Sequence, residues 1–168
     1  MAYTHALFAL ALVIIPTVYL SGAPMGPFII IVVIAASLLP DIDHPSSMIG
    51  RAIKPVSLII HETVGHRSLT HSIVAIIGLT IVVSAVVFKY GLGIIYIYAF
   101  ILGYTSHILA DMLNITGVEL LYPDKKRYSI LHKRGIRVGS PGETILSLLL
   151  LGGIIFSIFI QSPVRALI

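Results

Sequence analysis

The chain has 168 residues, of which 57% are hydrophobic and only 11% are charged, and it contains no cysteine. Its formal net charge is +4 and its mean hydropathy is +1.03. This composition excludes a disordered chain and an ordinary soluble domain, because both need many more polar residues. The missing cysteines exclude disulfides and thiolate metal sites, so any metal must be held by nitrogen and oxygen.

Five apolar stretches follow one another along the chain, and each is predicted to be a transmembrane helix. A helix needs about 20 apolar residues to cross the hydrocarbon core, so the second stretch is short. No basic residue precedes the first stretch, which favours a retained span over a signal peptide. We therefore predict an all-α integral membrane protein in which residues 1–168 form one transmembrane helical domain. The predicted spans are residues 6–20, 27–39, 72–88, 92–113 and 144–160.

The basic residues lie mostly on one side of these spans. With five alternating crossings, the polar segments 40–67 and 114–142 share a side with the N-terminus, whereas Lys89 and Arg165 lie opposite. Lys and Arg are enriched in cytoplasmic loops, so we predict a multi-pass inner-membrane protein with a cytoplasmic N-terminus. Anionic lipid headgroups account for this charge, and no nucleic acid partner is needed. The residues of the basic side are Arg51, Lys54, Arg67, Lys125, Lys126, Arg127, Lys133, Arg134 and Arg137.

Histidines and carboxylates gather at the predicted cytoplasmic ends of four spans. They occupy the start of the first span, the end of the second, the start of the third and the end of the fourth. Five spans could have scattered these groups over both membrane faces, so their placement predicts a single site. The groups are His5, Asp41, Asp43, His44, His61, Glu62, His66, His71, His107 and Asp111.

The spacing within these groups suits metal ligands. His107 and Asp111 are four residues apart, which places both on one face of a helix. His66 and His71 are five apart and would point away from each other on one continuous helix. They converge if the helix begins between them, and we predict Ser68 as its N-cap. The alternative is that these residues are polar contacts between spans or interfacial side chains.

Two carboxylates after the second span form another candidate pair. From an extended stretch, Asp41 and Asp43 would point the same way and could share a cation. A solvated turn is the alternative interpretation. Glu62 lies four residues before His66 and is a candidate base, and Arg67 is placed to hold a phosphate in a bidentate manner.

Imidazole and carboxylate ligands suit zinc, manganese or iron. About six of them exceed the needs of one tetrahedral zinc and suit two ions about 3.5 to 4 Å apart. We therefore predict two divalent transition metal ions, with zinc favoured. His5 and His44 would be further ligands or orienting groups, Arg67 would bind the substrate anion and Glu62 would relay a proton. The predicted principal ligands are Asp41, Asp43, His66, His71, His107 and Asp111.

These motifs resemble the YdjM-like family over about residues 1–125. The matching segments are Leu39-Pro-Asp-Ile-Asp-His44, Gly65-His-Arg-Ser-Leu-Thr-His-Ser72 and Gly103-Tyr-Thr-Ser-His-Ile-Leu-Ala-Asp111, followed by Gly117 and Leu121-Tyr-Pro123. Members of the family are described as LexA-binding, inner-membrane-associated, metal-dependent hydrolases. The resemblance implies a membrane metal site and hydrolysis, but it supplies no substrate. It points to the same aspartates and histidines, to Arg67 and to Thr4-His5.

Three functions fit these observations. The first is a membrane-embedded metal-dependent hydrolase that acts at the cytoplasmic interface on a phosphoester or other ester of a lipid-like substrate. The His-x-x-x-Asp element is also similar to zinc-dependent phospholipase C, which favours a phosphoesterase. The second is a non-catalytic regulator or scaffold with a structural metal and a cytosolic protein partner. The third is a metal or proton transporter, which would need ionisable groups near the middle of the spans.

Overall fold

The computed structural model describes residues 2–21 and 26–165, with side chains for residues 2–16 and 26–159. Seven α-helices and three short 3-10 helices, at Leu39–Asp43, Leu69–His71 and His132–Arg134, make up the regular structure of these residues. The described part of the chain contains isolated β-bridges but no strand. The helices are α1 (Ala2–Ser21), α2 (Pro27–Leu38), α3 (Met48–Ala52), α4 (Lys54–Val64), α5 (Ile73–Lys89), α6 (Ile95–Met112) and α7 (Pro141–Arg165).

Five of the helices, α1, α2, α5, α6 and α7, coincide with the predicted spans, which confirms the all-α prediction. By length and composition, one described segment, Pro141–Phe159, is long and apolar enough to cross a membrane as a single helix. Ala2–Pro16 and Ile73–Lys89 are shorter apolar helices. The number of crossings therefore stays a prediction.

The polar segment after α2 is more ordered than the sequence indicated. Pro40 opens a 3-10 helix over Leu39–Asp43, so the expectation of an extended stretch there is wrong. The hydroxyl of Ser47 caps α3 by accepting a hydrogen bond from the backbone N–H of Gly50 at 2.9 Å. Pro55 begins α4, since proline is tolerated in the first turn of a helix. The 3-10 helix carries the predicted ligands Asp41 and Asp43 back against the end of the bundle.

The start of α5 also differs from its prediction. Ser72, and not Ser68, is the N-cap, because the hydroxyl of Ser72 accepts a hydrogen bond from the backbone N–H of Ala75 at 3.2 Å. The Ser68 hydroxyl instead donates back to the carbonyl of Val64 at the end of α4. His71 consequently lies in the 3-10 helix before α5 and not in the first turn of α5.

Helix α6 lies at the centre of the bundle and packs against α1, α2 and α5, while α7 packs against α1. Gly103 permits its closest approach, because a Cβ there would lie 2.4 Å from the carbonyl oxygen of Val33 on α2. A neighbouring face of α6 buries Phe100, Tyr104 and Ile108 in a core cluster. Small residues allow such close contacts between apolar helices.

The outer faces of the bundle are strongly apolar. On α5, Ile77 and Ile81 are 56% and 64% exposed, and on α7, Leu148 and Leu149 are 63% and 69% exposed. Contiguous exposed apolar surfaces of this kind mark contact with a membrane or a partner. They fit a bundle whose outer faces contact lipid.

Replacing Gly103 with alanine should destabilise the bundle. The added methyl group would collide with the α2 backbone, and overpacking of this kind costs roughly 1–3 kcal/mol. Thermal unfolding in detergent measures the effect. Gly152→Ala is the matched control, because a Cβ at Gly152 meets nothing within 4 Å. Equal unfolding temperatures for Gly103→Ala and Gly152→Ala would contradict the packing described here.

Candidate metal centre

Side chains from four parts of the chain meet at one end of the bundle. They come from the first turn of α1, the 3-10 helix after α2, the segment between α4 and α5, and the end of α6. Within each of three overlapping groups, the candidate ligand atoms lie within 4.8 Å of one another. The groups are His5, His107 and Asp111; Asp41, His71 and His107; and Asp41, Asp43 and His66. We call these seven residues the His/Asp cluster.

Two ring nitrogens face each other at the centre of the cluster. Nε2 of His71 lies 3.2 Å from Nε2 of His107. Oδ2 of Asp111 lies 3.2 Å from the first of these nitrogens and 3.7 Å from the second. It is buried, and no described donor is aligned to give it a hydrogen bond. Two imidazole nitrogens and an unsatisfied carboxylate oxygen directed at one point fit a divalent cation.

The other nitrogen of each histidine is held by the protein. Nδ1 of His107 lies 2.6 Å from the carbonyl oxygen of Ser37, to which it donates, so Nε2 keeps its lone pair. Nδ1 of His71 lies 3.2 Å from Oδ2 of Asp43, and Nδ1 of His66 lies 2.7 Å from Oδ1 of the same carboxylate. Metal-binding histidines are usually oriented in this way, by a carbonyl or carboxylate on the far nitrogen.

Asp43 is fully buried and links the loop before α5 to the end of α2. Its Oδ2 accepts a hydrogen bond from the backbone N–H of Arg67 at 2.9 Å, and the Thr70 hydroxyl donates to the same oxygen. Burial alone would raise the pKa of Asp43, but His66 and His71 outweigh it and hold the pKa well below its usual range. Asp43 thus orients two histidines as an anion, and direct metal ligation by Asp43 stays a prediction.

The guanidinium of Arg67 is bound by other groups of the protein. Its guanidinium is paired with the Asp111 carboxylate through one terminal nitrogen and donates to the Thr116 hydroxyl through the other. Its backbone adopts φ 62°, which a non-glycine residue rarely occupies without support. The residue as a whole is only 8% exposed. Arg67 therefore neutralises Asp111, and its expected contact with a substrate anion stays untested.

The pKa of His71, which lies just before α5, is raised above its ordinary value. Burial lowers the pKa of His71, but the carboxylates of Asp111 and Asp43 outweigh it and raise the pKa to about 9. Without a metal, His71 therefore holds a proton near neutral pH. A metal ion must displace that proton in order to bind Nε2.

Glu62 and His44 also lie outside the three groups. Glu62 is exposed on α4, which ends at Val64, and Gly65 with φ 81° turns the chain before His66. Glu62 and His66 therefore share no helix face, and the structure does not bring Glu62 into the cluster. The role of Glu62 as a proton relay stays a prediction. His44 packs edge-on against His66, with ring centroids 4.7 Å apart.

A cavity of about 710 Å³ opens beside the cluster. His5, Asp41 and His66 belong both to the cluster and to the cavity wall, so a ligand in the cavity reaches these three candidate metal ligands. Several wall residues could not be predicted, because they come from helix ends and loops that no periodic pattern brings together. Those residues are Tyr3, Arg51, Asn114, Thr116, Arg137 and Val138.

Purified protein should contain about two transition metal ions per chain, since two of the three groups share no residue. His107→Ala and Asp111→Asn should lose metal because each removes a central ligand atom. Elemental analysis of the folded variants measures this. His132→Ala is the control, because His132 is exposed on a 3-10 helix away from the cluster. Metal-free wild-type protein, or full metal content in both cluster variants, would contradict the site.

Metal binding near neutral pH should release a proton from His71. The pKa of His71 in the metal-free protein is about 9, so the metal competes with a bound proton below that pH and its affinity rises as the pH increases toward it. Calorimetry in buffers of different ionisation enthalpy measures the released proton. Heats that do not depend on the buffer would count against this account.

With this geometry established, the sequence can be compared with known proteins. The inner membrane protein YdjM of Escherichia coli (strain K12) is 41% identical over 101 residues, which cover 58% of this chain and 50% of that protein. The protein of the same name from Shigella flexneri matches to the same extent. The uncharacterized protein YvsG of Bacillus subtilis (strain 168) is 30% identical over 91 residues, 54% of each chain.

The chain thus spans about half the length of the curated relatives it matches. No solved structure matches it. The family described as "YdjM inner membrane protein" matches residues 1–164, which is nearly the whole chain. This match confirms the predicted resemblance and supports an inner-membrane location, while the number of crossings and the orientation stay predictions. The chain belongs to the YdjM family of inner membrane proteins.

Proposed function

We propose that this protein is a membrane-embedded, metal-dependent hydrolase that acts at the cytoplasmic face of the membrane on a phosphoester of a lipid-like substrate. The observation that carries the proposal is the arrangement of Nε2 of His71 and Nε2 of His107 around the unsatisfied Oδ2 of Asp111. These atoms lie beside a cavity that shares three residues with the His/Asp cluster.

The residues fit one or two divalent ions. His71, His107 and Asp111 would hold the central ion, and His66 and Asp41 would hold a second one. A divalent ion bound there would activate water and polarise a phosphoryl or acyl oxygen. Asp43 keeps His66 and His71 in their orientations, and Arg67 balances the charge of Asp111.

Asp41 replaces Glu62 in our assignment of the proton acceptor. It is the carboxylate that belongs to the cluster and also lines the cavity, with Oδ1 3.7 Å from Nε2 of His107. In the metal-free protein, burial raises the pKa of Asp41. In this proposal, the Asp41 oxygen that does not bind the second ion receives the proton of the attacking water.

The cytoplasmic assignment rests on charge and topology together. The cluster gathers the starts of α1 and α5 and the ends of α2 and α6, which share one end of an alternating bundle. The basic segments after α2 and α6 join the same end. Positive loops favour the cytoplasmic side. The substrate would therefore be reached from the inner leaflet or the cytosol.

A scaffold with a structural metal is the second candidate. The cluster joins four separate parts of the chain. A metal ion with a purely structural role would hold these parts together through the same ligands. A transporter is disfavoured because the cluster lies at one end of the helices and not at their midpoint.

Turnover of a phosphodiester by the purified full chain tests the proposal. With bis(p-nitrophenyl) phosphate or a short-chain phospholipid, hydrolysis should stop with a chelator and return with zinc or manganese. Asp111→Asn should lower the rate by on the order of 100-fold or more, since it removes a central ligand charge. His132→Ala is the control, and circular dichroism verifies that each variant is folded.

Stable metal binding without turnover of any phosphoester or carboxylic ester would reject the hydrolase and favour the scaffold. In that case, chelation should unfold the protein and not merely inactivate it.

A further inference from the structure

We propose that Arg51 and Arg137 bind the anionic head group of an amphiphile at the mouth of the cavity. This inference rests on the proposed function, because it assigns the substrate class and the residues that recognise it. The head group would be a phosphate or phosphonate, and its apolar tail would stay in or near the membrane.

The two arginines reach the cavity from different elements. Arg51 lies in the last turn of α3, and Arg137 follows Ile136, which forms a parallel bridge with Asn114 after α6. Both side chains line the cavity and are exposed. Neither makes an ion pair with any side chain in the described ranges 2–16 and 26–159. Each therefore presents a guanidinium with free donors, the group best suited to bidentate contact with a phosphate.

The charge of the cavity wall is unbalanced. Arg67 also lines the cavity, but its terminal nitrogens are engaged by Asp111 and Thr116. Among the described lining residues, Asp41 is the one carboxylate, and it belongs to the His/Asp cluster. The positive charge of Arg51 and Arg137 consequently has no partner in the cavity wall. An anionic ligand would provide the missing negative partner for this charge.

The rim of the cavity indicates that the anion carries an apolar tail. Tyr3, Met48 and Val138 line the same cavity and are 58%, 53% and 43% exposed. A binding site for a small soluble anion has no need of exposed apolar side chains at its opening, whereas the tail of an amphiphile would cover them. The arginines beside exposed apolar side chains suit an amphiphile, in which a charged head group adjoins an apolar chain.

The test is equilibrium binding by the full chain in phosphatidylcholine nanodiscs, with heats from empty nanodiscs subtracted. Decylphosphonate and methylphosphonate share an anionic head group that a phosphoesterase cannot hydrolyse, and they differ in their tails. Decylphosphonate should bind more tightly than methylphosphonate. The double variant Arg51→Gln, Arg137→Gln should weaken decylphosphonate binding by about tenfold or more, because it removes hydrogen bonds to a charged group.

The double variant Lys125→Gln, Lys126→Gln is the matched control. It removes the same charge from exposed positions that do not line the cavity, and it should bind decylphosphonate as the wild type does. Equal weakening by both double variants, or none by the arginine variant, would overturn the proposed site. Equal affinity of the wild type for both phosphonates would overturn the lipid assignment and favour a soluble phosphate ester.

This experiment involves no turnover, so its failure is distinct from failure of the hydrolase proposal. Arginine-dependent binding without any hydrolysis would support the head-group site and reject only the enzyme activity. Metal-dependent hydrolysis with arginine-independent binding would reject only the head-group site.

Discussion

The structure depends on a buried carboxylate, Asp111, held between two imidazoles and a guanidinium. A buried charge is energetically costly unless it is paired. Removing one partner of a buried pair is strongly destabilising, because the remaining charge is left buried without compensation. His71, His107 and Arg67 supply the pairing from three directions. His5 adds a fourth, because its Nε2 lies 3.6 Å from Oδ1 of Asp111. The start of α1, the loop before α5 and the end of α6 are therefore tied to one point.

Apolar packing places that point beside the cavity, whose wall shares His5, Asp41 and His66 with the His/Asp cluster. Gly103 lets α6 approach α2 closely, and one turn further along α6 His107 meets the carbonyl oxygen of Ser37 on α2. The contact between α2 and α6 thus leaves no room for a side chain at Gly103 and, one turn later, orients the ring of His107. Because α2 ends there, the chain turns into the 3-10 helix that delivers Asp41 and Asp43. The interface between α2 and α6 therefore both packs the two helices and positions candidate metal ligands.

Much of this arrangement could be predicted from the sequence, because its signals are local. Apolar runs mark the long helices, and the spacing of His107 and Asp111 places them on one helix face. The convergence of histidines and aspartates at one end followed from counting crossings. The short helices α3 and α4 escaped prediction, since Ser47 and Pro55 are weak signals in a polar segment.

Tertiary contacts account for what the sequence could not indicate. The engagement of Arg67 depends on Thr116, which lies 49 positions further along the chain. The placement of Glu62 outside the cluster depends on the turn at Gly65, which separates α4 from His66. The meeting of Arg51 and Arg137 in one cavity wall depends on loops whose course no periodic pattern encodes. These are the features that decide how a ligand would enter.

The most direct test of the metal centre is an anomalous difference map from crystals of the full chain grown with zinc and measured above and below the zinc absorption edge. The account predicts a strong peak between Nε2 of His71, Nε2 of His107 and Oδ2 of Asp111, within ordinary coordination distance of all three atoms. A map without a peak there, with the two histidines bonded directly to the carboxylate, would contradict it.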